Sequence, residues 1–173
     1  MKEHLNRREI IEAITPVIEN TAMRYNLIPI EVELEKESGN WFLRIYIFST
    51  DHPVNHQDCE NLSRGLDNFL DDLIPFKYRL EISSPGLYRK IKTEREYVLF
   101  EGKNAIIKLE NEIDKLAPRV VDGENIIAGG EKKIEVKLLG YEKGIGVKVY
   151  KYNTGEEHTI PLNNIQQAQL NDE

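Results

Sequence analysis

Residues 78–102, YRLEISSPGLYRKIKTEREYVLFEG, sit near the middle of the chain and constrain its organisation more than any other stretch. Tyr78, Leu80 and Ile82 alternate with Arg79 and Glu81, the period of a half-buried strand. Ser84-Pro85-Gly86-Leu87 then predicts a tight turn, because proline presets φ at its second position and glycine supplies positive φ at the third. Thr93 and Glu96 stand at capping-box spacing, which predicts a helix starting there and stopping near Gly102. A strand, a turn, a basic connector and a short helix must therefore follow one another.

Upstream, Leu5, Ile10, Ile14, Val17, Ile18 and Tyr25 lie near helical spacing, with Pro16 predicting a kink or a split and Asn26 a stop. Residues 30–35 alternate strictly, residues 41–48 form an apolar run broken only by Arg44, and Glu37-Ser38-Gly39-Asn40 between them signals a hairpin. The second of these strands offers apolar side chains on both faces and is expected to be the more buried. The row Glu31, Glu33 and Glu35 reads as a solvated strand face in preference to an acidic docking stripe. Asn55 and Asp58 open a second helix, whose apolar stripe is read as Cys59, Leu62, Leu66, Phe69 and Leu73, with Pro75 ending it. The order helix-strand-strand-helix-strand predicts an N-terminal α/β domain over residues 1–90.

After Gly102 the character changes. Residues 103–109, 119–121, 134–139, 146–150 and 158–160 read as short strands between Gly-, Asn-, Asp- and Lys-rich turns, with one helical turn at 161–165 and a last strand at 166–170. A small β-barrel over residues 91–173 is expected, which makes the fold class α+β. Residues 110–133 resist assignment.

Composition restricts the chemistry. The 173 residues carry a formal charge of −7, and both halves are acidic, so bulk charge points toward basic partners rather than nucleic acid. Cys59 is the single cysteine, placed on a buried helix face and read as a small core residue. The N-terminal residues lack the apolar core of a signal peptide and no run reaches membrane-spanning length, so a cytoplasmic protein with no membrane association is expected. His4, His52, His56 and His158 show no paired ligand spacing, and His52 and His56 are read as loop residues flanking Pro53. Gly129-Gly130 is not followed by the Lys-Ser/Thr of a phosphate loop, and Gly140, Gly144 and Gly146 read as turn glycines. Ser83 and Ser84 lie outside any nucleophile elbow, and hydroxyls before Pro-Gly commonly bond turn backbone. No catalytic residue, cofactor or metal is expected, and an enzyme is the weaker class.

One local electrostatic feature remains. Lys77, Arg79, Arg89, Lys90, Lys92 and Arg95 face only Glu81 and Glu94 between residues 77 and 95, a positive run in an acidic protein. Two readings stay open: an RNA contact through Lys77, Arg79 and Arg95 with Tyr88 as a stacking surface, or a solvated connector whose charges pair with acidic neighbours.

At these residues the chain resembles the bacterial ribosome maturation factor RimP family. The resemblance is carried by Leu80-Glu-Ile-Ser-Ser-Pro-Gly-Leu87 followed by Arg89, Ile91, Lys92-Thr93, Tyr97, Phe100 and Gly102-Lys103. It extends back through Val32-Glu33, residues 41–47, Asp58-Cys59 and Ser63-Arg64, and forward to Ile160-Pro161-Leu162, Ile165, Ala168 and Leu170. It implies an N-terminal α/β domain and a C-terminal SH3-like, or Sm-like, barrel. It also implies a non-enzymatic assembly factor that binds immature small ribosomal subunits, and a basic small-subunit protein near the decoding centre as partner. rRNA is a further candidate partner, and a monomer is expected. Ser83, Ser84, Pro85, Gly86, Arg89, Lys90 and Lys92 would form the inter-domain turn and connector. Tyr88 and Lys90 stand where the family usually has Asp and Pro, and Gln167 and Gln169 where it usually has Lys and Arg.

Overall fold

In the computed structural model, which describes residues 6–113, 119–121, 124–126 and 132–171, the first helix opens on a full capping box. The Asn6 side chain accepts from the Glu9 N–H and the Glu9 carboxylate accepts from the Asn6 N–H, at 3.0 and 2.8 Å. Helix α1 (Arg7–Met23) runs through Pro16 as one helix rather than two pieces. Proline removes the bond to the Glu12 carbonyl, and both residues lie on the exposed side, where water can replace it. Asn26 stops the helix as expected, at φ +56°, while the Leu27 N–H reaches back to the Ala22 carbonyl.

Strands β1 (Ile28–Glu37) and β2 (Asn40–Phe48) pair antiparallel, with Glu37 opposite Asn40 across a two-residue turn. Ser38 and Gly39 both have positive φ, the requirement of the type I′ turn that matches strand twist. β3 (Tyr78–Ser83) adds parallel to β2, giving the order β1-β2-β3. β2 is therefore central, which accounts for its apolar residues on both faces.

Leu34, Leu43, Ile45 and Ile47 from this sheet meet Ile10, Ile14, Ile18 and Ala22 of α1 and Leu62 and Leu66 of α2 (His56–Leu66) in one core. Each such fully buried Leu or Ile contributes about 1.5–3 kcal/mol. His56 is thus the first residue of α2 rather than a loop residue, since the Asn55–Asp58 capping box starts the helix directly before it.

The second helix departs from its expected length. It ends at Leu66 instead of continuing to Pro75, and Phe69 lies 57% exposed while Leu70 and Ile74 enter the core. Gly65, Asp67 and Asn68 are weak helix formers. Past Leu66 the chain continues in turns, with Phe69 and Leu70 N–H groups both directed at the Leu66 carbonyl, so helical spacing no longer selects the buried side chains.

The chain divides into two compact units, Met1–Pro85 and Gly86–Glu173. In the second, α3 (Glu94–Leu99) is followed by β4 (Asn104–Leu109), the short pair β5 (Arg119–Val121) and β6 (Glu124–Ile126), β7 (Lys133–Glu142), β8 (Gly146–Lys151) and β9 (Glu156–Ile160). A 3-10 turn at Leu162–Asn164 leads to β10 (Ile165–Leu170). Ala105, Ile107 and Leu109 of β4, Ile134, Val136 and Leu138 of β7, Val147 and Val149 of β8, and Ala168 and Leu170 of β10 are buried at period two.

The α+β class and the strand positions agree with the sequence, but the second sheet is not a closed barrel. Its order is β10-β4-β7-β8-β9, an open antiparallel ladder. The outer edge of β10 is taken by residues 89–91 instead of β9: the Ile91 N–H donates to the Ala168 carbonyl and the Leu170 N–H to the Arg89 carbonyl, both at 2.8 Å. β5 is the strand expected at residues 119–121, β6 falls in the stretch that resists assignment, and the Gly129-Gly130 dipeptide lies outside the described residues.

Candidate functional site

The stretch singled out in the sequence folds as two pieces. In the first unit, Lys77, Arg79, Ser83 and Ser84 are exposed and Pro85 is half-buried. Arg79 places its guanidinium carbon 5.9 Å from the Phe42 ring centroid, on the face of β3 opposite the helices. Arg44, in the adjacent row, is held by Glu37 and Glu81, each 2.7 Å away, and those hydrogen bonds push its guanidinium pKa further up. On β1, Glu35 binds Arg7 at 2.9 Å and Glu33 accepts from the Tyr46 hydroxyl at 3.3 Å, so this row of carboxylates is engaged with its own sheet and helix.

In the second unit, Gly86 has φ +81°, as the third position of the predicted turn needs. Leu87 and Tyr88 are 58% and 51% exposed. Arg89 is different: it is buried, and its guanidinium grips Glu96 with two bonds of 2.7 and 3.2 Å. Glu96 also accepts from the Lys92 N–H at 3.1 Å. The predicted capping box is thus half made. Thr93 accepts from the Glu96 N–H, but the Glu96 carboxylate turns to Arg89 and Lys92 rather than to the Thr93 N–H, because a buried cation is the stronger partner. Lys90 forms a bridge with Gln169 through backbone and leaves its side chain exposed, as do Lys92 and Arg95. Residues 89–91 belong to the second unit as an added edge on β10, Arg95 lies in α3, and Arg89 acts inside the unit.

Among the described residues, each unit carries a concave surface. The second unit carries a small cleft of about 210 Å³ between the start of α3 and β10, lined by Ile91, Tyr97, Leu162, Ile165 and Ala168 among others. Burial pushes the Tyr97 phenol up to about 12. In the first unit, a groove of about 510 Å³ lies along the edge of the sheet. Leu66 and Asp67 come from the end of α2, Asp71, Ile74, Phe76 and Lys77 from the connection, and Tyr78 and Leu80 from β3. The Tyr78 hydroxyl donates to Asp71 at 2.8 Å, and burial with that carboxylate raises the phenol's pKa. Trp41 stacks on Phe76 at 4.5 Å between centroids. The sequence does not announce this groove, because residues 66–75 read as continuing helix and Tyr78 and Leu80 as a separate strand; the interleaved Asp67, Asp71 and Asp72 are the available signal.

Near α2, His52 and the Asn55 N–H both contact Asp58 Oδ2 at 2.9 Å, and the backbone bond, followed by His52, holds this carboxyl below its usual range. Cys59 packs against the core, and burial pushes its thiol up. Among the described residues no group of three or more His, Cys, Asp or Glu side chains is placed to hold a metal ion, and no helix is long and apolar enough to cross a membrane.

The described residues thus form an α+β chain of two units, each with a groove and a terminal strand. Residues 14–88 match the family model described as the RimP N-terminal domain. The chain therefore carries the N-terminal domain of the RimP family, a family of ribosome maturation factors without catalytic activity.

Proposed function

We propose that this protein is a non-enzymatic assembly factor of the small ribosomal subunit, working as a cytoplasmic monomer that binds immature subunits together with a basic small-subunit ribosomal protein near the decoding centre. The observation that carries this reading is the RimP N-terminal domain over residues 14–88. The charge of −7 supports a basic partner, since an acidic surface attracts it and raises the rate of productive encounter.

A stand-alone RNA-binding module using the basic run is the competing reading. It draws less support, because Arg89 is buried against Glu96 and presents no charge to a phosphate backbone. Lys77, Arg79, Tyr88 and Arg95 remain its candidate contacts, and rRNA its candidate ligand. Deleting the gene and profiling ribosomes at low temperature tests the first reading. A shrunken small-subunit peak with accumulated precursor small-subunit rRNA is expected; a normal profile with normal processing would overturn it. For the RNA module, Lys90→Glu with Lys92→Glu should weaken binding of isolated RNA and flatten its salt dependence.

A further inference from the structure

The groove of the first unit combines three properties. Its floor offers the half-buried side chains of Phe76, Tyr78 and Leu80 to about 510 Å³ of space, above the buried Leu66 and Ile74. Its rim is acidic, with Asp67 and Asp71 lining it, the exposed Asp72 adjacent in sequence, and Lys77 as the single lining cation. It also runs beside a strand edge: β3 is terminal in the order β1-β2-β3, and among the described residues no strand pairs with its outer side. A terminal strand presents alternate N–H and C=O groups outward, ready for another chain.

Strand geometry decides what fits. Tyr78, Leu80 and Ile82 point toward the helix layer, and Arg79 and Glu81 point to the other face. A segment added beside β3 would place every second side chain over the groove and the rest beside Arg79 and Glu81. Six residues of β3 offer a ladder of roughly 20 Å at about 3.3 Å per residue, enough to seat two or three side chains in the groove. Charge selects the occupant, because two carboxylates against one ammonium favour a cationic segment and disfavour an anionic one.

We propose that the groove beside β3 is a docking site for an extended, lysine- or arginine-rich protein segment, which adds to the β3 edge as a strand and turns alternate side chains into the groove, the apolar ones onto Phe76 and Leu80 and the cationic ones to Asp67 and Asp71. This deepens the reading above by giving the basic partner a place and a mode of binding, and rests on that reading only for the partner's identity. Backbone bonds supply affinity that tolerates sequence variation, and the alternating apolar contacts set the register.

The test uses the full chain and a synthetic peptide of about eight residues, long enough to cover the β3 edge, whose groove-facing alternate positions carry both valine and lysine and whose other positions are threonine. Trp41, stacked on the groove residue Phe76, reports binding by fluorescence, and amide exchange reports the strand. Binding that weakens with salt is expected, with protection gained at Tyr78–Ser83 amides. Asp67→Lys should weaken the peptide roughly tenfold and Lys77→Glu should strengthen it, both being exposed positions that leave the core intact. A peptide N-methylated at alternate residues, unable to extend the ladder, should lose binding. Unchanged affinity on N-methylation or in Asp67→Lys, or unchanged exchange in β3, would overturn the proposal. So would tighter binding of an oligouridylate of similar length at the same amides. None of these outcomes depends on the ribosome profile of the deletion strain, so the two readings fail separately.

Discussion

Replacing Glu96 by Gln tests whether the second unit depends on a buried ion pair to hold its entry segment. The side chains of Arg89 and Glu96 are 6% and 2% exposed, and the pair is bidentate. Glutamine keeps the size of the side chain and one oxygen for the Lys92 N–H and Arg89 Nε, but sets an NH2 donor against Arg89 Nη2, so the change removes the charge and one of the two bonds to Arg89. Removing one partner of a buried pair costs about 3–5 kcal/mol, since the remaining charge stays desolvated. With an amide oxygen still available to accept, the low end, about 3 kcal/mol, is expected. The readout is local: the amides of Ile91 and Leu170 carry the bonds that fasten residues 89–91 to β10. Their hydrogen-exchange protection should fall by roughly 100-fold, at 1.4 kcal/mol per factor of ten, with the β1–β2 ladder as internal reference. A loss of less than about fivefold at both amides would refute the argument and make the pair a bystander. The double change Glu96→Leu with Arg89→Met should recover part of the protection, because an apolar pair of similar volume has no charge to strand.

Three further outcomes follow from the geometry. Gly146 has φ +147°, and an added Cβ would lie 2.2 Å from the Ile160 carbonyl oxygen, a backbone atom; Gly146→Ala should destabilise the second unit by about 3 kcal/mol, read from exchange of the Val147 and Val149 amides. Gly65→Ala would raise helix propensity by about 1 kcal/mol on an exposed helix. Here the new methyl meets Thr21 Cγ2 at 2.7 Å, and Thr21 is buried with its hydroxyl bonded to the Val17 carbonyl, so overpacking should win and the urea midpoint followed by Trp41, the sole tryptophan, should fall. Asp58→Asn should cost about 1 kcal/mol at neutral pH by weakening the α2 cap. Because the folded-state pKa of Asp58 is depressed, that stability is present above the unfolded value of about 3.9 and lost as pH falls through the folded one, so the variant and wild-type midpoints should converge in acid.

The features legible in the sequence were those set by neighbours a few residues apart. Ser38-Gly39 announced its turn because a two-residue hairpin needs positive φ at both positions. Asn26, Gly86 and the Asn55–Asp58 cap were readable for the same kind of reason. What failed were extrapolations of periodicity and choices among distant partners. Phe69 was assigned to the core by counting on past Leu66, where the helix had already ended. Glu96 was assigned to its own cap, since Arg89 is seven residues away and nothing local says that its guanidinium turns inward. The closed barrel was expected from strand spacing, whereas the ladder depends on which segment reaches the β10 edge, and residues 89–91 do. The groove was missed because its walls come from a helix end, a connection and a strand that only the fold brings together.

Those failures change how the charge of this protein should be read. Counted along the chain, residues 77–95 form a basic island on an acidic molecule, which invites a nucleic-acid interpretation. In the fold, Arg89 is neutralised inside the second unit, and Lys77 lines a groove whose other ionisable walls are carboxylates and a phenol. Arg79 lies near an aromatic ring on the opposite face of β3. Three of the six cations of that run thus have a counter-charge or a ring beside them, while Lys90, Lys92 and Arg95 stay exposed in the second unit. The acidic rim behaves in the opposite way, because Asp67 and Asp71 are gathered beside an open strand edge by the turns that follow α2. Electrostatic steering responds to charge that is assembled in space, and at this groove the assembled charge is negative and sits beside a strand that is terminal among the described residues. That arrangement selects for an extended cationic chain more directly than the linear run of lysines and arginines selects for RNA.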